Sequence, residues 1–260
     1  MRILFLGDIV GKPGYTAVLQ QVPKLRDQLK LDQVVVNAEN ASDGSGLMPR
    51  QFRRLIDAGV DCVTLGDHIY RRNEIIDVLK KSERIVRPAN YPGNASGRTW
   101  TIIGQEKSAP LAVISLMGRV YMRPVDCPFD AVDRALEEIG GQTKHILVDV
   151  HAEATSDKQV LGRYLDGKVT AVLGTHTHVP TADACILPGG AAFQCDVGMC
   201  GPYESIIGRD IARVTQTTRT FEPCHFHVAK NDVRLCGALI ESSDDGKATS
   251  IERFEKRIDG

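Results

Sequence analysis

In the stretch Gly174-Thr175-His176-Thr177-His178 two imidazoles stand two residues apart, directly after the apolar, β-branched run 169–173 that reads as a buried strand. On an extended backbone both rings point to the same side, which is a chelating geometry. Other groups able to bind cations or move protons occupy the same kind of position, just past the end of an apolar run. Asp8 follows 2–6, Glu39 and Asn40 follow 33–37, Asp67 and His68 follow 61–65, and His151 follows 145–150. A mixture of carboxylate oxygens and imidazole nitrogens suits Mn, Fe or Zn, whereas an all-oxygen set would favour Mg or Ca. So many groups exceed the needs of one tetrahedral ion and suit two ions about 3.5 to 4 Å apart under a shared carboxylate. In such centres a metal-bridging hydroxide attacks phosphorus in line, the ions neutralise the phosphoryl oxygens, and a nearby imidazolium protonates the leaving oxygen.

The elements that must hold these groups alternate along the chain. A strand over 2–6 leads to a helix over 16–29, whose apolar face is Val18, Leu19, Val22, Leu25 and Leu29 and the spacing of whose first half is blurred by Pro23. A strand over 33–37, a Ser- and Gly-rich loop over 42–46, a helix over 49–58 closed by Gly59, a strand over 61–65 and a helix over 73–81 follow. This is the pattern of a parallel βαβ sheet with right-handed crossovers, in which sites form where loops converge at the carboxyl ends of strands. Further on, 99–104 and 110–117 read as a hairpin and 129–139 as a helix ended by Gly140-Gly141. A strand over 145–150 and a helix over 156–165 with Ser156 as N-cap then lead to the 169–173 strand. Beyond residue 180, antiparallel strands are expected at 184–187, 191–195, 225–229, 233–241 and 250–257.

Length and composition narrow the class. The 260 residues, 42% hydrophobic and 25% charged, fit one globular domain over 1–260. A net charge of −1 provides no field to draw the chain to a membrane surface or to RNA, so an RNA partner has no support from charge. The seven cysteines are odd in number and form no C-x-x-C pair, which is reduced-thiol usage and points to the cytoplasm. The apolar part of the N-terminus is too short for a signal segment, and no run approaches the length of a membrane span.

At its polar strand ends the chain resembles the calcineurin-like metallophosphoesterases, whose pattern is Asp-x-His, Gly-Asp, Gly-Asn-His, a lone His and Gly-His-x-His. Here the matching segments are Gly7-Asp8-Ile9-Val10, Glu39-Asn40, Gly66-Asp67-His68, His151 and Gly174 to His178. Val10 stands in place of the first motif's histidine and Glu39 in place of the bridging aspartate. Both departures, with Ile-Leu-Phe-Leu-Gly-Asp-Ile-Val-Gly and Asn-Ala-Glu-Asn, are similar to the YmdB-like phosphoesterase branch along nearly the whole chain. The resemblance implies an α/β fold, a four-layer α/β/β/α sandwich of two mixed sheets flanked by helices. It implies a di-metal phosphodiesterase acting on small phosphodiesters such as 2′,3′-cyclic nucleotides, with two transition-metal ions, Fe or Mn first and Zn next. One ion would be held by Asp8, Glu39, Asn40 and His178, and the other by Glu39, Asp67, His151 and His176. His68 would be the general acid, and Asn40 would compensate for the histidine missing at Val10. The branch usually has Asn where Asp67 stands. An aspartate there still offers an oxygen ligand, adds a negative charge and makes bound water less acidic, or else weakens catalysis outright.

Other signals are set aside. Gly7 to Lys12 lacks the spacing and the hydroxyl of a phosphate-binding loop. Arg71-Arg72 could guide a phosphate but reads first as a solvated pair. His145, at the far end of its strand, and His225 and His227, alternating in an expected strand, read as structural. Asp149 points the same way as His151 and is a candidate partner for that ligand. A phosphomonoesterase, and a regulatory or RNA-interacting module with structural metals, remain as rival functions. A homo-oligomer is open.

Overall fold

The structure is a computed structural model and describes residues 1–104 and 109–258. In chain order the elements are β1 (Arg2–Leu6), β2 (Asp8–Ile9), α1 (Gly11–Leu29), β3 (Gln33–Asn37), α2 (Pro49–Asp57), β4 (Cys62–Thr64), α3 (Ile76–Lys81), β5 (Ile85–Val86), β6 (Trp100–Ile103), β7 (Leu111–Met117) and α4 (Pro128–Ile139). They continue with β8 (His145–His151), α5 (Thr155–Leu165), β9 (Ala171–Thr175), β10 (Cys185–Ile186), β11 (Ala192–Gln194), β12 (Met199–Pro202), α6 (Ile211–Thr220), β13 (Val233–Ser242) and β14 (Ala248–Arg257).

Two mixed sheets result. In the first, β1, β3, β4 and β5 run parallel, β13 joins β1 antiparallel, and β12 and β14 pair antiparallel with β13. In the second, β7, β8, β9 and β11 are parallel, with β6 and β10 antiparallel at the two edges. Strand residues alternate between faces, and this alternation sorts the core into three layers. Leu4, Val34, Val36 and Val63 face out to Val18 and Val22 of α1, Leu55 of α2 and Leu79 of α3. Ile3, Phe5 and Val35 face in, against Leu111, Val113, Leu147 and Leu173 of the second sheet. Ile114, Val148, Val150 and Val172 face out to Val132 and Ala135 of α4 and Leu161 and Leu165 of α5. The arrangement is a four-layer α/β/β/α sandwich, as the resemblance implies.

Local differences from expectation have identifiable causes. Helix α1 begins at Gly11 rather than at residue 16. Pro and Gly in a first turn are tolerated because its N–H groups have no intrahelical partner, and a Cβ at Gly14 would lie 1.8 Å from the Cys200 carbonyl oxygen. Helix α5 starts at Thr155 with Ala154 at its cap, so Ser156 lies inside the first turn and does not cap it. Residues 225–229 are not a strand; Val228 makes only an isolated bridge to Arg209. Helix α6, unexpected from the sequence, carries no buried residue and therefore shows no apolar stripe, and its Asp210 cap accepts from the Arg213 N–H. The turn of the expected 99–117 hairpin lies partly outside the described residues, but β6 and β7 pair antiparallel as expected.

Candidate metal centre

The carboxyl ends of parallel strands from both sheets meet at one edge of the sandwich. Cross-sheet hydrogen bonds join them there: Thr64 and Asn37 donate to Asp149 at 2.5 and 3.0 Å, Ser115 donates to the Leu65 carbonyl at 2.8 Å, and the His176 N–H donates to Asp8 at 3.0 Å. Close approach is written into two glycines. A Cβ at Gly7 would lie 1.9 Å from the Gly198 oxygen, and one at Gly66 would lie 2.3 Å from His151 Nε2.

The sequence-selected groups all come together at this edge, in two sets that share Glu39. His151 Nε2 lies 3.0 Å from Glu39 Oε1, 3.3 Å from Asp67 Oδ1 and 3.0 Å from His176 Nδ1. Donor atoms of these four residues fall within 4.8 Å of one another. In the other set, Asn40 Nδ2 lies 3.4 Å from Asp8 Oδ1, 3.3 Å from Glu39 Oε1 and 3.3 Å from His178 Nε2, which in turn is 3.6 Å from Asp8. His68 sits at the rim with its side chain 25% exposed, its Nδ1 2.7 Å from Asn40 Oδ1, its Nε2 3.6 Å from Asp67, and its backbone N–H donating to Glu39. Asp8, Glu39 and His151 are wholly buried. Among the described residues no lysine or arginine pairs with these buried carboxylates, so histidines or a bound cation must balance them, and the mixed oxygen and nitrogen donor set could hold a metal ion.

Protonation follows the same demand. Burial pushes Asp8 up, but the charge and hydrogen bond of His178, with His151 and the His176 N–H, hold it well below the usual carboxylate range. Asp67 is likewise held low against its burial, chiefly by His151 and then by His68 and His176. Burial lowers His151, but Glu39 and Asp67 raise it well above the ordinary imidazole value. His178 is raised against its burial by Asp8, while burial and the charge of His151 lower His176.

The expected same-side chelating pair is corrected by the backbone. Strand β9 ends at Thr175, and His176 and His178 then take φ of 93° and 65°, left-handed values that non-glycine residues rarely adopt. The strained turn sends His176 to the set of His151 and Asp67 and His178 to the set of Asp8 and Asn40. Thr177, between them, is gripped by Asp196, which accepts from its N–H at 3.1 Å and its hydroxyl at 2.6 Å. Lys158, 2% exposed, pairs with Asp196 at 2.8 Å and donates to Thr177 at 3.2 Å. Local strain of this kind persists only when surrounding contacts over-determine it.

The family model described as YmdB-like protein matches residues 4–254. The chain belongs to the YmdB-like family. A Bacillus subtilis (strain 168) relative named 2′,3′-cyclic-nucleotide 2′-phosphodiesterase is 43% identical over 255 residues, which cover 98% of this chain and 96% of the relative. A solved structure of a hypothetical protein from Thermus thermophilus superposes with a TM-score of 0.92 at 42% identity, covering 99% of both chains. A structure described as a novel phosphatase of Mycoplasma pneumoniae superposes at 0.91 with 31% identity, covering 99% of this chain and 93% of that one.

In this YmdB-like chain Val10 is buried in a wall, where its side chain fills the space beside Gly208 and its N–H bonds to the Cys200 carbonyl. His145 bonds to Ser242 at the opposite end of the sandwich. His225 and His227 stack edge-on 5.0 Å apart outside the cluster. Arg72 is tied to Ser42 and Asp43. Asp149, fully buried, is pushed up to about 6 by burial, against the lowering effects of His151 and of the Thr64, Thr175 and Asn37 hydrogen bonds. Four contributors were not selected from the sequence: Glu153, 3.1 Å from His176 Nε2, and Thr175, Asp196 and Lys158. Glu153, two residues past His151, carried a positional signal. Asp196 and Lys158 carried none, since nothing in a sequence pairs a helix lysine with a loop aspartate. Among the described residues, no helix is long and apolar enough to cross a membrane.

Proposed function

We propose that this chain is a phosphodiesterase that uses two transition-metal ions, iron or manganese before zinc, on small phosphodiesters of the 2′,3′-cyclic nucleotide class. The observation that carries this reading is the pair of donor sets sharing the buried Glu39. Asp8, Glu39, Asn40 and His178 would hold one ion, and Glu39, Asp67, His151 and His176 the other. When bound, the ions supply Lewis acidity toward the phosphoryl oxygens and activate water at neutral pH. To ligate, Asn40 must turn its amide oxygen inward. His68 would act as an imidazolium, which gives its Nε2 proton to the leaving oxygen and is left neutral. The name of the Bacillus subtilis relative supports the substrate class.

Hydrolysis of a bis-aryl phosphate, a mono-aryl phosphate and a 2′,3′-cyclic nucleotide, with metal analysis of the same sample, tests the reading. Two metal ions per chain with a diester preference are expected. A preference for the mono-aryl phosphate would make the chain a phosphomonoesterase, a reading favoured by the description of its Mycoplasma pneumoniae neighbour. Metal-loaded protein inert toward all three would leave a regulatory or RNA-interacting role.

A further inference from the structure

Asp149, Thr175, Thr64 and Asn37 form a fully buried polar network behind the cluster, and none of them reaches the surface. The Asp149 carboxylate only accepts: from Thr175 Oγ1 at 2.7 Å, from Thr64 Oγ1 at 2.5 Å and from Asn37 Nδ2 at 3.0 Å. A hydroxyl has one proton. Having given it to Asp149, Thr175 can offer only a lone pair to His151 Nδ1, 2.9 Å away. His151 therefore carries a proton on Nδ1, which leaves Nε2, the face turned to Glu39, Asp67 and His176, as the ring atom that can be given up to a cation. Asn37 Nδ2 also approaches His151 Nδ1, at 3.5 Å, but its donation is directed to Asp149. The same asparagine accepts the Glu39 N–H on its Oδ1 at 3.2 Å. One carboxylate thus governs a ring in one donor set and the backbone of the residue that both sets share.

We propose that Asp149 is a positioning residue for the metal centre: through Thr175 it sets the tautomer of His151, and through Asn37 it places Glu39. Without it the Thr175 hydroxyl is free to donate to Nδ1, which moves the imidazole proton to Nε2 and into the space a cation needs. Partners of this kind typically change metal affinity by about 10- to 100-fold. The proposal rests on reading the cluster as a metal centre.

The test is Mn²⁺ affinity by calorimetry for the wild-type chain, Thr175→Val, Thr175→Ser, Asp149→Asn and the double variant Asp149→Asn/Thr175→Val, each checked for a cooperative thermal transition. Valine keeps the shape of threonine without the hydroxyl; serine keeps the hydroxyl without the methyl. Thr175→Val is expected to lose about 10- to 100-fold in affinity while Thr175→Ser retains it. The double variant is expected to lose less than the sum of the singles, because both act through one path. Thr175→Val binding Mn²⁺ as tightly as wild type, or Thr175→Ser losing as much as Thr175→Val, would overturn the proposal, and the Thr175 pair decides it even if Asp149→Asn does not fold. Wild-type protein that binds no Mn²⁺ would overturn the metal-centre reading and this proposal together. Wild-type protein that binds it but hydrolyses no diester would sink the functional reading alone.

Discussion

His68 and His178 look alike in sequence, yet their surroundings separate them. His68 is partly exposed at the rim with a hydrogen-bonded Nδ1, whereas His178 is nearly buried, with Nε2 facing Asp8 and Nδ1 against the Ile207 carbonyl. His68→Ala should lower turnover by roughly 10² to 10⁴ with metal content unchanged. Loss of metal in the same sample would show that a ligand had been taken for an acid. For His178→Ala the order reverses, with metal lost first, as elemental analysis would register. Asp67→Asn should leave about two ions per chain and change turnover, because it removes one negative charge while keeping an oxygen ligand. Unchanged rate constants together with unchanged affinity would refute that. The residue types were legible at this scale because hard and borderline donors at strand ends have few other uses. The division of the histidines between two sets came only through the family resemblance and not from their spacing, because left-handed φ at His176 and His178 is set by what surrounds the turn.

At the scale of elements, the 174–178 turn is held from outside its own strand. Helix α5 contributes Lys158 and the segment after β11 contributes Asp196, and together they grip Thr177 between the two histidines. Removing one member of a buried ion pair leaves the other charge without its partner, which costs about 3 to 5 kcal/mol. Lys158→Met should therefore fall toward the low end of that range in denaturant titration, since Asp196 still accepts from Thr177 and Gly198. It should also weaken metal binding, which a merely global loss of stability would not do in the fraction that remains folded. Elements with a clear period were legible: β1, β3 and β13 are buried strands and α4 carries a regular apolar face. Helix α6 and the short strands β2 and β12 were not, because an exposed helix has no stripe and strands of two and four residues are too short to show a period.

For the molecule as a whole, the two sheets are joined at both ends. Opposite the candidate metal centre, His145 at the start of β8 meets Ser242 at the end of β13 at 3.1 Å. Burial lowers the His145 imidazole from its ordinary 6.5, helped by the N-terminal charge and opposed by Asp244, Asp245 and Asp32. With the folded value depressed, the unfolded chain binds the proton more readily. The stability this group contributes is thus present above pH 6.5 and lost as pH falls through the lower folded value. His145→Gln should flatten the fall of melting temperature on acidification relative to wild type; parallel curves for the two proteins would contradict it. The sequence by itself determined the layered α/β fold and which residues could carry chemistry. Burial alternation and donor chemistry are local properties, and the likeness to the YmdB-like branch supplied the order of the layers. Only the tertiary structure decided which backbone is strained to aim the donors, through which hydroxyl and amide Asp149 reaches them, and that Lys158 and Asp196 stand behind them. Those contacts join residues far apart in the chain, and their partners are fixed by how two sheets pack rather than by any spacing within one.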